Sequence, residues 1–140
     1  MKLELKYLSP YLPYDVRIAR FTANDKFKRV EYSLRAGNLQ EVVRCDNLKP
    51  ILRPLSDLTK EINLHDDFFA IPIENMTGYK LDGNISVAPT TVRYLYGCSK
   101  GEIEAKFLDY WVIVQLLEWH FDIFNLIENN LAIDINTINQ

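Results

Sequence analysis

Residues 99–130 read SKGEIEAKFLDYWVIVQLLEWHFDIFNLIENN, and the fold of this chain turns on whether they form one helix. Ser99 and Glu102 have the spacing of a capping box, in which two side chains satisfy backbone N–H groups that a helix start leaves unpaired. Neither proline nor glycine occurs between Glu102 and Glu128. The spacing predicts a helix of about 25 residues, roughly 38 Å long. Asn129-Asn130 supplies an end, because asparagine tolerates the left-handed conformation. Beyond it, Leu131, Ile133 and Ile135 alternate with Asp134 and Asn136, which predicts a final strand.

Glu118, His120 and Asp122 stand close together in that stretch and raise the question of a metal or acid–base cluster. On a regular helix, where each residue turns about 100°, Glu118 and Asp122 fall on one polar stripe and His120 almost opposite. They therefore cannot share a ligand, and His120 reads as a core or boundary histidine with a hydrogen-bond partner. The reasoning holds only if the helix is continuous through His120. The other histidine, His65, stands with Asp67 in LHDDFF, which reads as a solvated turn. No metal, cofactor or catalytic residue is expected.

The same angles place Trp111, Val114, Gln115 and Glu118 together. A tryptophan among polar neighbours is a favoured anchor for a partner, so these four form the candidate interaction surface. An internal cover is available in the N-terminal Tyr7, Tyr11 and Tyr14.

Working back toward the N-terminus, Pro10 and Pro13 break SPYLPY into a short helical turn or an irregular segment. Val16 and Ile18 alternate with Arg17 and Ala19 as in a half-buried strand. TANDK is a turn, and FKRVEYSL puts Val30, Tyr32 and Leu34 on one face. RAGN is a second turn, and LQEVVRC reads as a third strand of an antiparallel meander over residues 15–46. Pro50 and Pro54 argue against a central strand there, and Ser56 or Asp57 can cap a short helix through Ile62. FFAIPI reads as a strand ending near Pro72, and Asp82-Gly83 suits a hairpin turn. The expected fold is a single α+β domain over residues 1–140: an N-terminal antiparallel sheet, a short middle helix, and a long C-terminal helix packed on the sheet.

Composition excludes several classes. With 48% hydrophobic and 25% charged residues the chain is neither disordered nor membrane-spanning in profile. Charges at Lys2, Glu4 and Lys6 interrupt the place where a signal peptide has its apolar centre. Cys45 and Cys98 match no zinc or redox spacing. No phosphate-binding loop, dinucleotide fingerprint, nucleophile elbow or zinc-protease motif occurs.

Residues 1–60 carry twelve Lys/Arg against seven Asp/Glu, whereas residues 61–140 carry four against twelve. The basic half includes Arg17, Arg20, Lys26, Lys28, Arg29, Arg35 and Arg44, interleaved with Phe21, Phe27 and Tyr32, a pattern compatible with single-stranded nucleic acid. Glu31 and Glu41 interrupt that field, and the whole chain is acidic at pI 5.4.

SPYLPY, LKPILRPLSDLTKEI at 48–62 and LLEWHFDIFNLIENNLAIDIN at 116–136 resemble uncharacterised small proteins of phages and prophages of gut bacteria. The resemblance covers about a third of the chain and omits residues 63–105. It implies a phage-type cytoplasmic protein and brings no activity, fold or functional residues with it. Together these readings lead to a non-enzymatic macromolecular interaction module. Its expected partner is a host or phage protein or a second copy of the chain, with no membrane partner. Nucleic acid bound through residues 1–60 is the alternative.

Overall fold

The computed structural model describes residues 2–21 and 28–138, and the side chains of all of these except Phe21 and residues 28–31. The turn expected at TANDK, with Lys26 and Phe27, lies outside the described residues, as do the side chains of Lys28, Arg29, Val30 and Glu31. The architecture is α+β: five α-helices, a four-stranded mixed sheet and a two-stranded sheet among the described residues. They belong to two compact units, residues 1–54 with 120–140, and residues 55–119.

In the first unit, helix α1 (Leu5–Leu8) runs into a 3-10 segment over Ser9–Tyr14. Pro10 occupies an early position where its missing N–H costs nothing. Strand β1 (Arg17–Phe21) pairs antiparallel with β2 (Lys28–Ser33), with an irregularity between Ile18 and Ala19. Val16, Ile18 and Leu34 are fully buried, as their alternation predicts. Tyr32 is only half-buried, and its hydroxyl donates to Glu41 Oε1 at 2.5 Å.

The third strand of the expected meander is instead helix α2 (Leu39–Arg44). The preceding turn explains the difference. Arg35 N–H donates to Asn38 Oδ1 at 2.9 Å, which closes a 3-10 turn over Ala36–Asn38 and aims the chain into a helix. Once helical, Leu39 and Val42 lie three positions apart on one face, and Val42 is fully buried. The β-branched pair Val42-Val43 suggested a strand, but β propensity yields readily to context.

Strand β3 (Leu48–Leu52) supplies the third strand, on the other side of β1, and it contains Pro50. The expectation that proline argues against a central strand meets a local exception: β3 lies between β1 and the outermost strand, but Pro50 itself is paired only with β1. The outermost strand, β6 (Ile133–Asp134), is two residues long and pairs in parallel only with Ile51 and Leu52. Pro50 thus has a strand neighbour on one side only, the edge condition that proline tolerates. Of the final strand expected over 131–136, Ile135 has already entered a 3-10 turn. Ala19, Ile51 and Ile133 nevertheless form a buried cluster, with Ile135 and Ile138 packed against it.

In the second unit the short middle helix is a 3-10 turn over Leu55–Thr59, and Ile62 already belongs to strand β4 (Ile62–His65). Asp57 is buried there, with Lys60 Nζ 3.4 Å from its carboxylate. Strand β4 pairs antiparallel with β5 (Phe68–Ala70) across Asp66 and Asp67, both at positive φ. The hairpin is therefore here, where two aspartates take the left-handed conformation. None forms at Asp82-Gly83, where Asn84 Oδ1 instead accepts from Ser86 N–H and starts a 3-10 turn over Ile85–Val87. Helix α3 (Pro72–Thr77) ends on Gly78 at φ +77.

The stretch SKGE ends a helix rather than starting one. Helix α4 runs from Thr90 to Ser99, Lys100 caps it, and Gly101 follows at φ +76. Ser99 Oγ donates back to Tyr96 O at 2.6 Å, so it is unavailable as an N-cap. After the reversal, Glu102 and Ile103 N–H groups return to Gly97 O, at 2.9 and 3.3 Å. A Cβ at position 97 would lie 2.5 Å from Ile103 Cδ1, so any larger residue there would force the Ile103 side chain to shift. A 3-10 turn over Ala105–Phe107 then leads to helix α5, which is only Tyr110–Glu118. The long C-terminal helix does not exist.

Candidate functional site

Helix α5 begins after Asp109, whose carbonyl accepts from Val112 and Ile113 N–H, and its inner face buries Val112, Leu116 and Leu117. Within these nine residues the helical angles hold. Trp111 is half-exposed at 51%, Val114 and Gln115 are intermediate, and Glu118 is exposed. Gln115 Nε2 donates to Glu118 Oε2 at 3.1 Å. Trp111 and Glu118 are thus exposed on α5, with Val114 and Gln115 partly buried beside them. Within the first unit, Tyr7 and Tyr11 pack against Phe124, with ring centroids 5.3 and 6.3 Å away.

Sequence reasoning missed the neighbours that extend this surface. Phe107 and Tyr110 are 61% and 80% exposed. Trp111 also borders a cleft of about 370 Å³ shared with Met76, Tyr79, Pro89 and Val92. Phe107 and Tyr110-Trp111 flank the acidic Asp109, and that interleaving of aromatics with charge was the available signal. Tyr79 carries none, because it comes from α3's exit at Gly78, distant in sequence.

Past Glu118 the helix breaks. Trp119 has φ −88 and ψ 7, and His120 adopts φ +66. A left-handed residue after the last turn is a common helix ending. His120 O then accepts from Arg53 N–H, and Asp122 N–H donates to Arg53 O, both at 2.8 Å. Phe121 thereby forms a parallel bridge to Arg53, beyond the end of β3. Tyr11, fully buried, holds this bend: its hydroxyl donates to Phe121 O at 2.6 Å and accepts from Ile123 N–H at 3.2 Å. Burial, first of all, holds the Tyr11 hydroxyl far above the usual tyrosine range.

The break invalidates the helical argument about His120, yet the three acid–base residues still have separate tasks. His120 Nε2 lies 2.5 Å from Tyr14 O, and a carbonyl acceptor requires that this nitrogen carry the proton. Asp122 is buried, and its carboxylate accepts from Phe124, Leu126 and Ile127 N–H at 3.3, 2.9 and 2.8 Å. Burial pushes its carboxyl up, against the pull of those three donors. Glu118 is bonded to Gln115. Among the described residues no group of three or more His, Cys, Asp and Glu could hold a metal ion. His65 ends β4 and stacks on Phe68 at 5.4 Å, beside the Asp66-Asp67 turn. Cys45 and Cys98 are free, and burial raises the Cys98 thiol to about 11.

Desolvation lowers the pKa of His120; the bond to Tyr14 O opposes this, Arg53 reinforces it and Asp15 opposes it. A histidine lowered in the folded state stabilises the fold above its unfolded pKa, about 6.5, and that contribution is lost as pH falls through the folded value. Wild-type stability should therefore drop between pH 7 and 5 more steeply than that of His120→Asn, a residue that keeps the left-handed conformation accessible. The difference stays below the one-proton ceiling of about 1.4 kcal/mol per pH unit. Urea titrations across this range decide it, and parallel profiles would show that His120 does not titrate against folding.

Of the basic residues, Arg20 lies opposite Arg29 across the β1–β2 pair. Arg17 is exposed and Arg20 intermediate on β1, whereas Arg44 is exposed at the end of α2. Arg35 Nη1 lies 2.8 Å from Asp15 Oδ1, and its hydrogen bond holds the Asp15 carboxyl below the usual range. The Tyr32 hydroxyl is pushed up to about 12 by burial and by its bond to Glu41. By unit, residues 55–119 carry five Lys/Arg against ten Asp/Glu, so the α5 face belongs to a strongly acidic unit. Among the described residues, no helix is long and apolar enough to cross a membrane. Comparison with protein-family models, curated proteins and solved structures finds no match to this chain.

Proposed function

We propose that this chain is a non-enzymatic interaction module of phage type, acting in the cytoplasm on a host or phage protein through the outer face of α5. The supporting observation is the run of exposed aromatics, Phe107, Tyr110 and Trp111, beside the cleft that Trp111 shares with Tyr79 and Pro89. Aromatic side chains of this size bury about 150–250 Å² each when covered, so three of them exposed together form a strong apolar anchor. Glu104, Asp109 and Glu118 lie close to them in sequence, in a unit with excess acid. The complementary partner surface has an apolar pocket and a basic rim.

Trp111→Ala and Val114→Lys are the variants that test this. Trp111 is half-exposed and Val114 is only partly buried, so both proteins should remain folded. An aromatic anchor at the centre of an interface is worth about 2 kcal/mol or more, so Trp111→Ala should weaken a partner identified by affinity capture roughly 30-fold or more in titration of the purified pair. If the partner is a second copy, sedimentation shows a lower mass for both variants. Folded variants with unchanged mass and partner affinity would place the interaction surface elsewhere.

A further inference from the structure

A second cleft lies in the other unit and is independent of the α5 face. It has a volume of about 520 Å³ and is bordered by residues from three segments distant in sequence: the N-terminus, the turn from α2 into β3, and residues 129–131. Its apolar floor includes Leu3, Val42 and Leu48, all nearly or fully inaccessible to solvent. Lys2 and Arg44 border it, with Lys49, and among the described residues of its wall the carboxylate is Asp46. The local balance is thus positive in a chain of net charge −3. Among the described residues, neither Lys2 nor Arg44 is part of an ion pair or side-chain hydrogen bond.

The geometry points to a binding site for a small phosphate monoester with an apolar body. Like charges collected around one concavity repel each other, and an anion seated between them relieves that repulsion. Low-dielectric walls focus the positive potential of such a concavity on its interior. Guanidinium and ammonium groups form short, charge-assisted bonds to phosphate oxygens. The apolar floor gives the rest of the ligand a surface to cover, and the volume lies within the range of about 300–1,000 Å³ usual for small-molecule sites. A concave site of this kind favours a compact ligand over an extended polynucleotide, whose phosphates need a continuous cationic track.

The wall carries its own reporter. Cys45 borders the cleft and is half-buried, whereas Cys98, the other cysteine, is 2% exposed. Iodoacetamide should therefore alkylate Cys45 first. We would titrate the full chain with 1-naphthyl phosphate, 1-naphthol and inorganic phosphate, by calorimetry and by the rate of Cys45 alkylation. The naphthyl phosphate should bind and slow alkylation, while the two fragments bind at least about tenfold more weakly. Arg44→Ala and Lys2→Ala should each weaken binding about tenfold or more, whereas Arg17→Ala, at an exposed arginine not bordering the cleft, should retain it. Absence of naphthyl phosphate binding, or equal affinity in the Arg44→Ala/Lys2→Ala double variant, overturns the assignment. So does a single-stranded oligonucleotide that binds and protects Cys45 while naphthyl phosphate does neither.

Discussion

Leu116→Asp should leave the chain largely unfolded at 25 °C, whereas Gln115→Asp, one position away, should melt close to wild type. Leu116 is fully buried on the inner face of α5. The substitution removes about 1.5–3 kcal/mol of apolar burial and forces a carboxylate into a site whose desolvation costs several kcal/mol more. A domain with a total stability of about 5–15 kcal/mol does not absorb that sum comfortably. Gln115 is only partly buried and donates to Glu118 Oε2. Aspartate there exchanges a hydrogen bond for a like-charge pair three positions apart, a loss of a few tenths of a kcal/mol. Circular dichroism and denaturant midpoints of the two variants make the comparison, and equal tolerance would mean that the faces of α5 are misassigned.

The second large effect lies where the expected helix fails. Asp122→Ala removes the acceptor of three backbone N–H groups that hold the turn following Phe121. The bond from Leu126 N–H is buried, so its donor would be left without water. An orphaned buried donor costs about 1–3 kcal/mol, and the two half-buried donors add a smaller amount. A loss of roughly 2–4 kcal/mol is expected, together with faster amide exchange at Leu126 and Ile127. Asp122→Asn keeps one acceptor oxygen and should lose less. If the alanine variant keeps both the wild-type midpoint and the slow exchange, the carboxylate does not organise the turn.

The competing signals in LEWHFDIFNLI show why a helix was the natural reading of these residues. Nothing from Glu118 to Ile127 forbids a helix, and the apolar residues continue at helical spacing. The counter-signal was the set of short polar side chains, Asp122, Asn125, Asn129 and Asn130, which can bond nearby backbone and so stabilise a non-helical course. Asn125 and Asn130 indeed take positive φ, at 59 and 60. That signal is weak taken alone. The Tyr11 hydroxyl reaches Phe121 O across 110 positions of sequence, and Arg53 pairs its backbone with His120 and Asp122. Neither partner can be seen from the segment itself.

The same division separates the interaction face from what surrounds it. The grouping of Trp111, Val114, Gln115 and Glu118, with Leu116 turned inward, follows from 3.6 residues per turn. It survives because it needs only one short helix. The burial of Val16, Ile18 and Leu34 likewise follows from the two-residue period of a strand. The α+β class rests on such local periodicities, which depend on neighbours a few residues apart. The ends of elements depend on something else, because a helix end or a strand pairing is chosen by whichever acceptor satisfies the exposed backbone groups. At Ser99 the acceptor is Tyr96 O, at Gly97 the donors come from Glu102 and Ile103, and beyond Trp119 they are the Arg53 N–H and the Tyr11 hydroxyl. The cleft beside Trp111 and the cation-lined cleft around Arg44 also assemble residues from separate segments. Periodicity is written in consecutive residues, whereas these partners meet only after the chain has folded.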